Sequence, residues 1–324
     1  MSNYHDIYQQ VKPGLNQIEA LRLAALKKKR EAQKIVFIIV GLTVLIALIA
    51  ISIASNQVAG IVVAGLGLIS AFLTYSYYPS KAIKAYEFDF KNKLIRAITK
   101  ALEPSASYYP YRGISQSSFE NTGHYQTGID RYNSEDCFEA KLGSTEVRFS
   151  EIHAEYRTRS TDSEGRTTTT WHDIFKGVLF IADFHKNFNT WLSVRPDNES
   201  VPVFGWISKK LQGMSSSSIR MEDPEFEKHF KVNAGDDQQA RYILTPDMQQ
   251  RLVKLRASYG SGIIISLKDS NIYITAPNNH NLYEPNINVS SFSQNQVTRI
   301  AQEIECYFKI VKMLNLNTRI WTKE

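Results

Sequence analysis

Two long apolar stretches constrain this chain more than any other feature of its sequence. They run from residue 35 to 54 and from 58 to 78, contain no charged residue, and are separated only by Ser55, Asn56 and Gln57. Each approaches the roughly 20 residues that an α-helix needs to cross about 30 Å of hydrocarbon. A helix also satisfies its own backbone hydrogen bonds without water. We therefore predict a transmembrane helical hairpin over residues 35–78.

Charged residues around the hairpin predict its orientation. Residues 15–34 and 79–98 together contain eleven Lys or Arg and four Asp or Glu, whereas the turn contains none. Basic residues next to a span are retained on the cytoplasmic side. We expect both termini in the cytoplasm and Ser55 to Gln57 at the opposite surface. The basic residues nearest the membrane are Lys27, Lys28, Lys29, Arg30, Lys34, Lys81 and Lys84. A cleaved signal peptide is the alternative, but the 34-residue polar lead and the second span argue against it.

The overall charge does not indicate a nucleic-acid partner. The chain carries a net charge of +6, and the two flanks alone account for more than that excess. The remaining residues are therefore close to neutral, and no basic stretch interleaved with aromatics is present outside the flanks. We predict the lipid bilayer as a partner and no nucleic acid. Because the spans contain no ionisable residue, a pump or transporter built from them is also disfavoured.

The chain divides by composition into four segments. Residues 1–34 predict a cytoplasmic N-terminal helix, 35–78 the hairpin, 79–104 a cytoplasmic stalk helix, and 105–324 a soluble cytoplasmic domain. The stalk has apolar residues at helical spacing, including Ile83, Tyr86 and Phe90. This stripe packs either on the N-terminal helix or on the soluble domain, and the sequence leaves both readings open.

The soluble segment has the pattern of an α+β domain with a mixed, mainly antiparallel sheet and packed helices. Predicted strands cover residues 136–142, 145–158, 172–184, 240–244, 263–268 and 271–276. The apolar run within 172–184 places that strand centrally in the sheet, and residues 159–170 predict a polar tip. Thr245 before Pro246 predicts a helix start, and Ser293 with Gln296 predicts the start of a long C-terminal helix.

Few residues suggest chemistry. Asp183 and His185 lie two apart in a predicted strand and share a face, but no triad or metal-ligand spacing accompanies them. Cys137 and Cys306 are far apart, without a CxxC motif, which predicts free thiols in a reducing compartment. Gly235, Asp236 and Asp237 fit a polar turn better than a calcium loop. We predict no catalytic residue, metal or cofactor.

Three blocks resemble a known family. They are GVLFIADFHKNF from Gly177, DPEFEKHFKV from Asp223, and QARYILTPDMQQRLVKL from Gln239. In composition and order they are similar to a bacterial family of membrane-anchored proteins known as domain of unknown function 3137. The resemblance implies a paired-helix anchor in a bacterial inner membrane and a partner among LemA-like membrane proteins. It implies no reaction.

Within those blocks most residues suit packing, and the polar exceptions form our candidate site: Asp183, His185, Arg241 and Tyr242. The leading hypothesis is a membrane-anchored binding or scaffolding module in an assembly, with a protein partner or a second copy of the chain. One alternative is a membrane-tethered hydrolase using Asp183 and His185. The other is a defence or stress effector that perturbs the membrane.

Overall fold

The computed structural model describes residues 3–54, 57–125, 127–184, 186, 188–197 and 218–316. It divides into two compact units, one formed by residues 1–101 with 283–300 and the other by 102–282 with 301–324. We call these the helical unit and the sheet unit. Ser55 and Asn56, in the predicted hairpin turn, lie outside the described residues.

Helices make up the first part of the chain. They are α1 (Tyr4–Val11), a 3-10 turn (Lys12–Gly14), α2 (Leu15–Ala54), α3 (Gln57–Tyr77), α4 (Ser80–Asp89), a π-helical segment (Phe90–Ile95) and α5 (Arg96–Leu102). The 40 residues of α2 correspond to about 60 Å of helix, twice the hydrocarbon thickness of a bilayer. The predicted N-terminal helix and first apolar stretch are therefore one continuous element, since residues 15–34 consist mainly of good helix formers.

Small residues bring α2 and α3 close together. A Cβ atom on Gly67 would overlap the side chain of Thr43, and one on Gly60 would overlap Ile51. Thr43 donates its hydroxyl to the Ile39 carbonyl at 2.7 Å, so this polar group is satisfied within its own helix. Glycines at such contacts allow close backbone approach between apolar helices.

Ion pairs and backbone contacts fix residues 283–300 to the N-terminal helices. Glu19 accepts two hydrogen bonds from Arg22, at 2.7 and 2.9 Å, and one from the Ser291 N–H at 2.7 Å. Arg22 also donates to the Ile287 carbonyl at 2.8 Å. Arg22 is a buried charge, and Glu19 is its partner. Burying a charge without such a partner would be costly.

The sheet unit contains an eight-stranded sheet in the order β1-β2-β3-β4-β8-β7-β5-β6. All pairings between the described strands are antiparallel. The strands are β1 (Ser107–Tyr109), β2 (Arg131–Leu142), β3 (Thr145–Thr161), β4 (Thr167–Asp183), β5 (Leu192–Pro196), β6 (Phe230–Ala234), β7 (Ile264–Lys268) and β8 (Asn271–Pro277). The helices are α6 (Gln116–Asn121), α7 (Pro224–Glu227), α8 (Asp237–Ile243), α9 (Pro246–Tyr259) and α10 (Gln294–Met313). This architecture confirms the α+β prediction, with β4 central in the sheet.

Both sides of the sheet carry core packing. On one side Phe149 stacks on Phe138 with ring centroids 4.8 Å apart, and α10 covers it through Tyr307 and Phe308. We call this the α10 face. On the opposite side, the α6 face, Phe119 stacks on Phe175 at 5.7 Å above a buried cluster that includes Ile152 and Leu179. A sheet covered on both sides explains the unbroken apolar run of β4.

Residues 159–170 form an exposed polar tip, as predicted, with the turn at Asp162 to Gly165, but more of the segment is paired strand than expected, because β3 continues to Thr161 and β4 begins at Thr167. In that turn the Asp162 carboxylate accepts from the N–H groups of Glu164 and Arg166. The threonines, being β-branched, suit strands despite their polarity.

The predicted strand over residues 240–244 is wrong, since this segment lies in α8. Asp236 caps the helix by accepting from the Gln239 N–H at 2.9 Å. This cap favours a helix over a strand here, because it satisfies an N–H group that a helix start otherwise leaves unpaired.

Candidate functional site

The structure distributes the predicted site residues over separate places. Asp183 is the last residue of β4, opposite Asn271, and lines an open polar depression of about 690 Å³ with Lys141, Arg148 and Asp269 among others. His185, its proposed partner, lies outside the described residues. Arg241 and Tyr242 belong to α8 and do not line this depression.

Arg241 takes part in a network that joins the chain before α7 to α8 and α9. Its Nη1 lies 2.8 Å from Glu222 Oε1, and Gln249 Nε2 donates to the other Glu222 oxygen at 3.0 Å. Both hydrogen bonds lower the pKa of Glu222, and the bond from the Gln249 amide has the larger effect. Lys186 covers the Tyr242 ring at 4.8 Å and donates to the Tyr242 carbonyl at 3.1 Å. These contacts connect elements rather than leave groups directed at a ligand.

A second depression, of about 480 Å³, lies over β2, β3 and β4. Its described polar lining consists of Tyr111, Asn133, Ser134, Glu135, Glu151, His153, Lys176, Asn278, His280 and Asn281. Strand register explains how distant residues meet here, because Glu135 pairs with Glu151 and His153 pairs with Lys176. We call this hollow the β2–β4 depression.

One wall of the β2–β4 depression is the chain that follows β8. The Glu151 carboxylate accepts from the Leu282 N–H at 2.8 Å, and the Asn278 N–H donates to the Lys176 carbonyl at 3.0 Å. Gly177 allows this close approach, since a Cβ atom there would overlap the Ala276 carbonyl oxygen. The wall is therefore held by one side-chain and one backbone hydrogen bond.

The opposite rim lies at an irregularity in β2. The register with β3 shifts between Glu135 and Phe138, and Asp136 adopts a φ of 55°. The hydroxyl of Tyr108 donates to the buried Asp136 carboxylate, and the Asp136 N–H donates to the Pro110 carbonyl at 3.1 Å. Bulges of this kind are over-represented beside functional sites, where they redirect side chains.

An acid and imidazole group adjoins the depression on the α10 face. His153 Nε2 lies 2.7 Å from Asp173 Oδ1 and 4.0 Å from Glu155 Oε1. These nitrogen and oxygen atoms are ligands that zinc accepts. Arg131, however, pairs with Glu155 at 3.1 Å while its guanidinium covers Trp171 at 3.8 Å. In this arrangement the group is a hydrogen-bonded cluster in which Arg131 already pairs with one of the two carboxylates.

Sequence reasoning missed this cluster because Asp173 lies 20 residues beyond His153. The signal was present in the alternation of His153 and Glu155 along a strand and in the hairpin that follows. Only the register, which a bulge between Ala154 and Glu155 displaces, determines that Asp173 faces them.

The two thiols have the environment of packing residues. Burial raises the pKa of Cys137 to about 11 and that of Cys306 to about 12. A thiol attacks as the thiolate, so these pKa values leave both cysteines almost entirely protonated at neutral pH.

Comparison with protein families gives a match over part of the chain. Residues 173–316 match the family described as "Protein of unknown function (DUF3137)". The resemblance expected from the three sequence blocks is thereby confirmed. The matched residues begin within β4 and extend beyond α10, and they exclude α2 and α3. No curated protein matches the chain, and no solved structure matches it.

Proposed function

We propose that this chain is a membrane-anchored binding module in which α2 and α3 hold the sheet unit at the cytoplasmic side of a bacterial inner membrane. The observation that carries this proposal is the exposure of the apolar helices. In the most apolar 18-residue window of the first helix the mean hydropathy is 3.1, and no residue of that window is buried. The corresponding window of the second helix has a mean hydropathy of 2.1 and is 11% buried.

Exposure distinguishes an apolar helix that spans a membrane from one that forms the core of a water-soluble protein. A core helix of a water-soluble protein buries its apolar side chains, whereas Phe37, Ile61 and Phe72 are 78%, 70% and 69% exposed. Large contiguous apolar surfaces are rare on soluble monomers and indicate contact with protein or lipid. The apolar stretches of the two helices lie side by side and have 20 and 21 residues, which is the length of a membrane span and favours lipid.

Charge supports the proposed orientation. Tyr78, at the end of the second apolar stretch, donates to Glu31 at 3.1 Å, and Lys28 pairs with the same carboxylate at 2.9 Å. Tyr, Lys and Arg at the ends of apolar helices fit the headgroup region of a bilayer. Lys27, Arg30 and Lys34 in the basic flank before the first apolar stretch are exposed, and basic residues at such positions attract anionic lipid.

The topology is tested with reporter fusions to the full-length protein. A fluorescent protein attached after Glu324 folds in the cytoplasm, and alkaline phosphatase placed there is active only outside it. We expect fluorescence and no phosphatase activity. Active phosphatase after Glu324 would contradict the proposed orientation.

The β2–β4 depression is the part of the sheet unit that best suits partner binding. It combines amide, carboxylate, imidazole and ammonium groups with the phenol ring of Tyr111, a residue that is 65% exposed. The test compares a K176A/H280A variant with D183A in detergent-solubilised full-length protein. Loss of the co-purifying partner from K176A/H280A alone would support binding at this depression, and loss from D183A alone would contradict it.

The two alternative functions are tested in the same material. If the chain is a hydrolase that uses Asp183, D183A should fold normally and should fail completely to restore the function that cells lose when the gene is deleted. A membrane-perturbing effector requires dye leakage from cells that overproduce the chain, and intact membranes would exclude it.

A further inference from the structure

On the α6 face of the sheet, positive charge is in excess over its partners. Arg195 in β5 and Lys231 in β6 lie directly opposite each other, and like charges in that position are destabilising. Lys231 forms an ion pair with Asp197. Arg195 donates to the Asn233 amide oxygen at 2.9 Å, and no described carboxylate pairs with it.

Further polar atoms without a partner lie on the same face. Ser193 is 2% exposed and His124 is 5% exposed, yet Ser193 Oγ and His124 Nε2 are buried without a hydrogen-bond partner among the described residues, as is Arg195 Nε. Unsatisfied buried groups of this kind are rare, because a buried polar atom without a partner loses its hydrogen bonds to water and gains none in return. Two of them close to an unbalanced cation that is itself unpaired at Nε call for an explanation.

Strand register places these groups together. Ser193 and Arg195 are two residues apart in β5 and share a face, and Ser193 pairs with Asn233 on one side and Ser266 on the other. Ser266 donates to the Thr122 carbonyl at 2.8 Å, which brings the segment containing His124 onto this face. His124 Nδ1 lies 3.1 Å from Thr275 Oγ1, so its ring is oriented and Nε2 is the free nitrogen.

We propose that Arg195, Ser193 and His124 form a buried binding site for a carboxylate group of a small molecule. An oxyanion is the ligand that neutralises the arginine and accepts from the three unpaired groups, and guanidinium donors match carboxylate geometry. Thr275 then donates to His124 Nδ1, which leaves the Nε2 hydrogen directed to the ligand.

Charge balance favours a carboxylate over a phosphate dianion. Burial is the larger cause, and the nearby charge of Arg195 the smaller, of a lowered pKa of about 3 for His124. The imidazole is therefore neutral at pH 7. With Lys231 balanced by Asp197, one positive charge remains, and one negative charge matches it.

The site is tested by thermal unfolding of the detergent-solubilised full-length protein in sodium acetate, with sodium chloride and sodium phosphate at equal ionic strength. The matched pair of variants is R195Q at the site and R166Q at the exposed β3–β4 turn, where Arg166 is 79% exposed. Acetate also stabilises proteins non-specifically, so the measure is the difference between each variant and the wild type.

We expect acetate to raise the midpoint of wild type and R166Q relative to R195Q by about 3–5 °C for each tenfold increase above the dissociation constant. S193A keeps the charge of the site but loses one donor, so acetate raises its unfolding midpoint by less than it raises that of the wild type. An R195M variant, which removes an uncompensated buried charge, is as stable as the wild type in chloride and less stable in acetate.

Two results would overturn the proposal. In the first, acetate has the same effect on wild type, R195Q and R166Q. In the second, phosphate gives a larger specific shift than acetate, which would assign the site to a different anion.

Discussion

At Gly177, strands β4 and β8 approach so closely that the backbone leaves no room for a side chain. A Cβ atom would overlap the Ala276 carbonyl oxygen and crowd the backbone of Pro277 and Asn278. Because these obstacles are backbone atoms, a larger residue displaces the strand rather than a flexible side chain. Gly177 therefore maintains the wall of the β2–β4 depression.

The change G177A is expected to destabilise the protein by more than about 1 kcal/mol, since alanine cannot occupy the native position without backbone movement. Urea unfolding of the solubilised protein measures the effect. G128A is the matched control, because no atom lies within 4 Å of a Cβ at that position. Equal stability of the two variants would show that β8 does not constrain position 177.

Glu19 gives a prediction about pH. Its hydrogen bonds from Arg22, opposed in part by burial and assisted by the Ser291 N–H, lower its pKa from 4.5 to about 2. A carboxyl whose folded pKa is depressed stabilises the protein above its unfolded pKa and loses that contribution as pH falls towards the folded value. The shift corresponds to roughly 3 kcal/mol.

We expect E19Q to be less stable than wild type at pH 7 and the difference to shrink as pH falls from 4.5 to about 2. Unfolding midpoints measured across this range provide the comparison, with E164Q at the exposed β3–β4 turn as control. A difference between E19Q and wild type that does not change with pH would show that the Glu19 charge is not stabilising.

The candidate site shows the limit of sequence reasoning at single residues. Asp183 and Arg241 are visible as polar exceptions within apolar blocks, but a sequence does not say whether such a residue meets a ligand or another side chain. Arg241 meets Glu222, 19 residues away. Likewise, His153 meets Asp173, and Arg195 opposes Lys231, only through strand register, and a bulge shifts that register between β3 and β4.

At the level of elements, the glycines of α3 specify how the two apolar helices pack. Gly67 faces Thr43 without space for a side chain, whereas no atom lies within 4 Å of a Cβ placed on Gly65. The two glycines are two residues apart in the same helix and lie in different surroundings, so they form an internal control.

We predict that G67L separates α2 from α3 and lowers the unfolding midpoint in detergent micelles, at a cost of about 1–3 kcal/mol for overpacking. G65L should leave the midpoint unchanged, because its leucine faces the apolar solvent. Circular dichroism at 222 nm during heating follows the transition. A larger loss in G65L than in G67L would contradict the observed packing.

Elements with strong local signals were predictable from the sequence. The start of α9 follows from Thr245, which accepts from the Met248 N–H, and the start of α10 from Ser293, which accepts from the Gln296 N–H. The β3–β4 extension and α8 were not, because threonine-rich polar strands resemble loops, and a cap at Asp236 outweighs the strand-like residues that follow it.

For the whole molecule, the central claim is that the two apolar stretches, residues 35–54 in α2 and 58–78 in and after α3, have lipid as their solvent. The claim accounts for the length of these stretches, their lack of charge, their exposed apolar surface and the basic residues that flank them. It also explains why close contact between them is provided by glycines rather than by large apolar side chains, since lipid supplies no hydrophobic force between helices.

Extraction of membranes from cells that express the full-length chain tests this claim most directly. Membranes are washed with alkaline carbonate, which releases peripheral proteins, and are then sedimented by ultracentrifugation. We predict that the chain stays in the pellet and enters the supernatant only with detergent, and that a chain lacking residues 35–78 is released. Recovery of the full-length chain in the carbonate supernatant would contradict the account.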